Sequence, residues 1–314
     1  MNKNLFSLEF VHLEDLLFHE TCDFKRTQKL AEEIKKDGHL KNPVLVASVN
    51  IEGTEKREKL LAGSGCPHLE PLLLPGRDAQ EQPLNPEKGE KLLVLDGVNR
   101  VSALKLLNVP DVLIQMVDYE DQKVKLSSWN HLIFDGQKEQ ILKKIKDLSL
   151  EVSFCPLKWA EEALKDQRTI SYFLFKDLTG FVVNTGNFAP EDKVKKLYKL
   201  IATYNGRSEI CYLDPENHFI SIFVHFKNSS AINLIPRFDK KEIVNLAQKG
   251  CLLPFGVTRF IVPNRVLGLE VSCSVLAAQT PLSEKNLFLK ELLAYRIKTK
   301  KAKFYQESVT LFNE

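Results

Sequence analysis

The sequence predicts an α/β (α+β) protein of two domains with a cleft between them. Three observations carry this expectation. At 314 residues the chain is longer than one compact core usually needs. Up to Tyr119 it alternates helix-period and strand-period apolar patterns, the signature of a small α/β unit. Beyond Asn130 the pattern changes to a second mixed set of helices and strands. The division this implies is 1–130 and 131–314.

Within Lys25–Ala47, KRTQKLAEEIKKDGHLKNPVLVA, Leu30, Ala31 and Ile34 recur at helical spacing. Gly38 is placed to end that helix, and Pro43 leads into a short strand, PVLVA. Residues 50–90 are rich in Gly, Pro, Glu and Lys and contain a short apolar PLLLP at 71–75. They read as an insertion, partly mobile and adding little to the core. LLVLDGVNRVSAL, 92–104, then runs from a strand-like stretch into a helix with Val101, Leu104 and Leu107 on one face. After the Asn108/Pro110 turn, Val112–Val117 reads as another strand.

In the second half, helix patterns occupy Gln137–Asp147 and Ala189–Tyr204. EICYLDPENHFISIFVHF, 209–226, alternates around Asp-Pro-Glu-Asn and predicts a β-hairpin. His218 and His225 would then face opposite sides of a strand, unsuited to one metal. Asp239–Gly250 has an Asp N-cap, Glu three residues later, an Ile243/Leu246/Ala247 face and a closing glycine.

Composition narrows the partners. With 44 basic and 41 acidic residues the net charge is +3, too little for a phosphate-backbone footprint, so no nucleic-acid partner is expected. No apolar run approaches a membrane span and MNKNLFSLEF lacks signal-peptide character, so no membrane partner is expected either. Six cysteines at 22, 66, 155, 211, 251 and 273 follow no framework or metal spacing. They fit buried small hydrophobes in a reducing compartment, hence a cytoplasmic protein. GSGCPH at 63–68 is not a GxxxxGK[ST] loop, HETCD is not HExxH, and no HRD or DFG string occurs.

The most informative stretch is DGVNR, 96–100, at the mouth of the second helix. Unpaired N–H groups and the positive dipole end there suit phosphate oxygens, and Gly97 permits close approach. Arg100 adds a fork of donors, and Asp96 can hold magnesium or orient a hydroxyl. Taken alone, the same string equally describes a capping acid and a solvated arginine.

The order of pieces decides between these readings. LEDLLFHE at 13–20, DGHLKNPVLV at 37–46, DGVNR at 96–100, Trp129 and LLPFGVTRF at 252–260 together resemble the ParB/sulfiredoxin-like superfamily, and within it the free L-serine kinases. Those kinases carry a His-Glu pair, a DGxHR-type element, a downstream tryptophan and an LPxGxTRH-type element. Asn99 and Phe260 stand here where that pattern has histidine. The resemblance implies a ParB/sulfiredoxin-like nucleotide-binding domain at 1–130 and a substrate-binding α/β domain at 131–314. It implies phosphorylation of free L-serine to O-phosphoserine with ADP or ATP and Mg2+.

By that resemblance Glu20 is the catalytic base, with Asp96 beside it as catalytic and metal-holding residue. Asp96, Gly97, Val98, Asn99 and Arg100 bind the nucleotide. His19, Trp129, Thr258 and Arg259 bind serine, Trp129 as a pocket wall and Thr258 with Arg259 as a carboxylate clamp. Read without it, Glu20 is a helix-flanking acid, Trp129 a packed aromatic and Arg259 a surface arginine. A second reading is a non-catalytic ParB-like protein that binds nucleotide as a regulatory switch.

Overall fold

The computed structural model describes residues 7–50, 90–134, 136–186, 189–204, 210–215 and 218–305. The expected insertion, PLLLP included, lies outside the described residues but for its end residues Asn50 and Glu90, which belong to strands. Two sheets organise the chain, each with its own helices, and both are mixed with α structure as the sequence predicts.

The first sheet has the order β1-β6-β4-β5-β2, with β1 Ser7–His12, β2 Leu16–Leu17, β4 Val44–Asn50, β5 Glu90–Asp96 and β6 Asp111–Val117. Side chains alternate across a strand, and β4 uses both faces. Val44 and Val46 pack under α1, Phe24–Asp37, and α2, Val98–Leu106, whereas Leu45, Ala47 and Val49 turn toward the second sheet. Helix α1 follows the expected pattern, with Ala31 and Ile34 buried and Gly38 closing it at φ 71°, and the structure adds Asp23 as its N-cap. The left-handed value at Gly38 is one that a side chain would strain.

The second sheet is antiparallel throughout, with the order β12-β8-β13-β10-β11-β9. Its strands are β8 Asn130–Phe134, β9 Glu151–Phe154, β10 Thr169–Phe175, β11 Gly180–Asn184, β12 Ile210–Leu213 and β13 Ser229–Leu234. On β10, Phe173 and Phe175 enter the core shared with the first sheet, while Tyr172 and Leu174 face a third core on the far side. Helices α3 Lys138–Asp147, α4 Ala160–Lys165, α5 Pro190–Ala202 and α7 Lys240–Gln248 flank it, α7 with the expected Asp239/Glu242 capping box. Two small pairs complete the topology: β7 Lys125–Ser128 with β14 Thr258–Ile261, and β3 His39–Leu40 with β15 Val271–Ser272.

Two expectations are corrected. The hairpin at 209–226 does not form: β12 pairs with β8, and the second arm is a helix, α6, Phe219–His225. Phe219, Ile222, Phe223 and Phe226 recur at helical spacing and enter the third core, so burial on one helical face outweighs the alternation. His218 and His225 therefore flank a helix. The stretch 131–314 is also not one spatial unit. After β14 the chain returns to the first sheet, where Leu269, Val271, Leu276 of α8 (Cys273–Ala277) and Leu289 of α9 (Leu282–Lys298) complete the first core. Buried Lys285 anchors α9 through Asp111 at 2.6 Å and the Leu276 carbonyl at 3.1 Å.

Cys22, Cys155, Cys211, Cys251 and Cys273 are free thiols, and no helix among the described residues is long and apolar enough to cross a membrane.

Candidate active site

The site is assembled where the two ends of the chain meet. Leu253 N–H donates to the His19 carbonyl at 2.8 Å and Thr21 N–H to the Leu253 carbonyl at 2.9 Å, so the FHET and LLPFGVTR segments run side by side. The loop at Gly256 (φ 72°) then turns its next two amides toward Glu20. Glu20 Oε1 accepts from Val257 N–H at 3.2 Å, from Thr258 N–H at 2.5 Å and lies 2.5 Å from the Thr258 hydroxyl. The Gly256 N–H adds a further donor to the carboxylate. Burial nevertheless outweighs these donors and pushes the carboxyl up to about 7.

A buried polar chain fixes the Gly256 loop from behind. Ser171 donates to Asn233, Asn233 Nδ2 to the Tyr204 hydroxyl at 2.7 Å, that hydroxyl to His131 Nδ1 at 2.9 Å, and His131 Nε2 to the Gly256 carbonyl at 2.7 Å. Burial holds His131 down at about 4, so the ring stays neutral and every member of the chain is satisfied. Gly256 has no room for a Cβ, which would fall 2.4 Å from the Tyr212 ring. None of these five residues other than Gly256 was legible as a site residue, because a buried serine, asparagine, tyrosine and histidine carry no spacing signal.

His19 and Thr258 are placed differently from the expected serine contacts. His19 is 2% exposed and both ring nitrogens are engaged, Nδ1 at 2.8 Å from the Val94 carbonyl and Nε2 at 2.7 Å from the Thr258 hydroxyl. Thr258 is 8% exposed and turned toward Glu20 and His19. Both lie behind Glu20; β14 points Thr258 and Phe260 inward and Arg259 and Ile261 outward. Phe260, where the resembling pattern has histidine, is core, edge-on to His19 at 5.5 Å and close to Tyr119.

Arg259 lies with Trp129. Its guanidinium stacks 4.5 Å from the indole and forms an ion pair with Asp214, which the sequence reading missed. Its Nη1 is buried against that carboxylate without a well-directed hydrogen bond. Tyr212 closes the other side of Trp129 at 6.4 Å.

The DGVNR turn is built as a strand-to-helix mouth, with Gly97 at φ 108° before α2. Arg100 folds back across it: a Cβ on Gly97 would lie 3.1 Å from its guanidinium. Arg100 bonds Asp96 at 2.8 Å and the carbonyls of Asn42 at 3.1 Å and Pro43 at 2.5 Å. Asp96 also receives Arg265, a second arginine the sequence reading did not select. Gln115 positions that arginine's segment by bonding the Asn264 carbonyl and the Val266 N–H. Asn99 turns its carbonyl oxygen to Asp23 N–H at 2.9 Å and the Thr27 hydroxyl at 3.2 Å, tying α2 to the start of α1. Through Asp23 the helix mouth lies three residues along the chain from Glu20. Val98 opens α2 and packs against the first core.

This arrangement matches solved structures. SbnI from Staphylococcus aureus, with a C-terminal truncation, superposes with a TM-score of 0.64 at 19% identity, over 92% of this chain and 97% of that one. A free serine kinase in complex with AMP superposes with a TM-score of 0.61 at 18% identity, over 88% and 95%. The chain has the fold of these proteins. In sequence it is 22% identical over 275 residues to the ATP-dependent L-serine kinase SbnI of S. aureus, covering 86% of this chain and 84% of that protein. It is 26% identical over 267 residues to an ATP-dependent L-serine kinase of Staphylothermus marinus, covering 81% and 84%. No family model matches.

Proposed function

We propose that the protein is a small-molecule kinase that transfers a phosphoryl group from ATP or ADP to free L-serine, giving O-phosphoserine. One observation carries this reading: Glu20 is buried with one oxygen seated on Val257 and Thr258, and that burial raises its proton affinity to about 7. A serine hydroxyl is a weak acid, and such a carboxyl is matched to take its proton near neutral pH. The resemblance in fold and sequence to serine kinases supports the same assignment, and the names of both curated relatives favour ATP.

The helix mouth at Gly97 supplies backbone N–H groups for phosphate, with Arg100 and Arg265 at hand beside Asp96. The amide nitrogen of Asn99 is the end of that side chain left to serve a phosphate. Arg259, stacked on Trp129, takes the serine carboxylate in planar geometry. Among the described residues no group of three His, Cys, Asp or Glu is arranged for a metal. Asp96 alone fits magnesium, which commonly takes one carboxylate and completes its shell with phosphates and water. Bound there, magnesium would offset charge on the phosphates.

In the reaction the serine oxygen forms a bond to phosphorus, the terminal phosphoanhydride bond breaks, and Glu20 receives the hydroxyl proton. Incubation with serine, magnesium and either nucleotide, followed by mass spectrometry, tests this directly. O-Phosphoserine is expected; its absence with both nucleotides, while nucleotide still binds, would favour the regulatory reading.

A further inference from the structure

The hydroxyl of Thr258 has one proton and two acceptors. His19 Nδ1 lies 2.8 Å from the Val94 carbonyl, which can only accept, so Nδ1 carries the ring hydrogen. Burial keeps the ring neutral, at about 4, which leaves Nε2 a bare lone pair 2.7 Å from Thr258 Oγ1. Glu20 Oε1 stands 2.5 Å from the same Oγ1. While Glu20 is a carboxylate it holds the stronger claim on that proton, and His19 Nε2 then faces an oxygen without a donor. Once Glu20 is protonated on its other oxygen, Oε1 becomes a weak acceptor and the hydroxyl turns to His19.

We propose that His19 and Thr258 form a hydroxyl switch behind Glu20, with Thr258 bonding Glu20 in its ionised state and His19 in its protonated state. No proton travels through Thr258; its own proton only rotates. The switch offsets the donors that favour the carboxylate, because ionising Glu20 leaves His19 unsatisfied in a buried place. Both are positioning residues: Thr258 draws the base's proton affinity down, and His19, by competing for the Thr258 hydroxyl, keeps it high enough to accept a proton from an alcohol. That last role rests on the reading of Glu20 as the base, whereas the switch itself rests on the geometry of three side chains.

Other ionisable groups face this set from neighbouring elements. Tyr212 on β12 feels the charge of Glu20 and of Asp23 and Arg26 at the start of α1, and burial pushes it up to about 12, so it remains neutral. Tyr198 on α5 meets Thr21 and the Leu253 carbonyl through its hydroxyl. Phe260 and Tyr119 complete the wall on the His19 side.

The switch predicts opposite shifts from its two members. With 13C-labelled glutamate, the Glu20 carboxyl titration is followed by NMR in wild type, Thr258→Val, Thr258→Ser and His19→Phe. Thr258→Val removes a donor to the carboxylate, so the midpoint should rise by about one pH unit, and Thr258→Ser should restore it. His19→Phe removes the competing acceptor, so the midpoint should fall by a similar amount. In wild type the His19 Nε2 resonance should move as Glu20 titrates, a readout that needs no variant to fold. A midpoint unchanged in Thr258→Val with a raised serine KM would make Thr258 a substrate contact and overturn the switch. A silent Nε2 resonance would overturn it as well. Opposed shifts in a protein that makes no O-phosphoserine would uphold the switch and overturn only the task assigned to Glu20.

Discussion

Glu20 and Thr258, 238 residues apart in the chain, meet through the backbone N–H and the hydroxyl of Thr258 on a single carboxylate oxygen. The contact joins two segments distant in the chain. Replacing the carboxyl by an amide keeps an oxygen for the Val257 and Thr258 donors but removes the base. Glu20→Gln should therefore lower kcat by roughly 10²-fold or more with little change in the serine KM, as steady-state kinetics would read.

The same residue gives a stability signature. Glu20 is raised from its ordinary 4.5 to about 7, so the folded state holds the proton more tightly than the unfolded chain between those values. Its contribution is most favourable below that window and is lost as pH rises through it. The thermal midpoint of Glu20→Gln relative to wild type should climb as pH goes from about 4.5 to 7. A difference independent of pH would place Glu20 in a solvated setting.

His19 and His131 act in the opposite sense. Both are lowered from 6.5 to about 4, so the unfolded chain binds more protons between those values and stability is lost as pH falls through that range. His131→Gln, whose amide can still donate to the Gly256 carbonyl, should lose part of this acid sensitivity in pH-dependent thermal denaturation. An unchanged profile would show that the histidine charges without cost.

Two arginines on Asp96 should separate by their other bonds. Arg265→Ala should weaken nucleotide binding by about 1.5–3 kcal/mol, the value of a charge-assisted contact. Arg100→Ala should weaken binding and also lower the thermal midpoint, because Arg100 bonds the Asn42 and Pro43 carbonyls as well. Calorimetry and thermal denaturation on the two variants would distinguish these outcomes; full nucleotide affinity in Arg265→Ala would remove it from the site.

Arg259→Ala should raise the serine KM strongly with kcat much less affected, since a carboxylate contact is made in ground and transition states alike. Trp129→Ala should do the same more weakly, because it removes the surface on which the guanidinium is stacked. An unchanged KM in both would move the carboxylate subsite elsewhere.

Much of this was legible in the sequence where local chemistry repeats along the chain. The stop Gly38 ends α1 and the acid-glycine turn opens α2, because each depends on residues within one helical turn. Glu20, Arg259 and Trp129 were selected through the order of short elements. What escaped depends on distant partners. Arg265 reaches Asp96 only because Gln115 and the first core fold its segment back, and Asp214 is set by the pairing of β12 with β8. The inward turn of Thr258 follows from the pairing of β14 with β7, which no local spacing announces. The 209–226 stretch satisfied both strand and helix periods, and tertiary burial chose between them.

The central claim is that Glu20 takes the proton of serine during phosphoryl transfer. The rate of O-phosphoserine formation by wild type and Glu20→Gln, at saturating serine and nucleotide between about pH 6 and 9, tests it most directly. The account predicts a wild-type rate that rises through a midpoint near 7 to a plateau, and a Glu20→Gln rate at least about 10²-fold lower with that limb absent. A Glu20→Gln enzyme that turned over as fast as wild type, with the same pH limb, would contradict it.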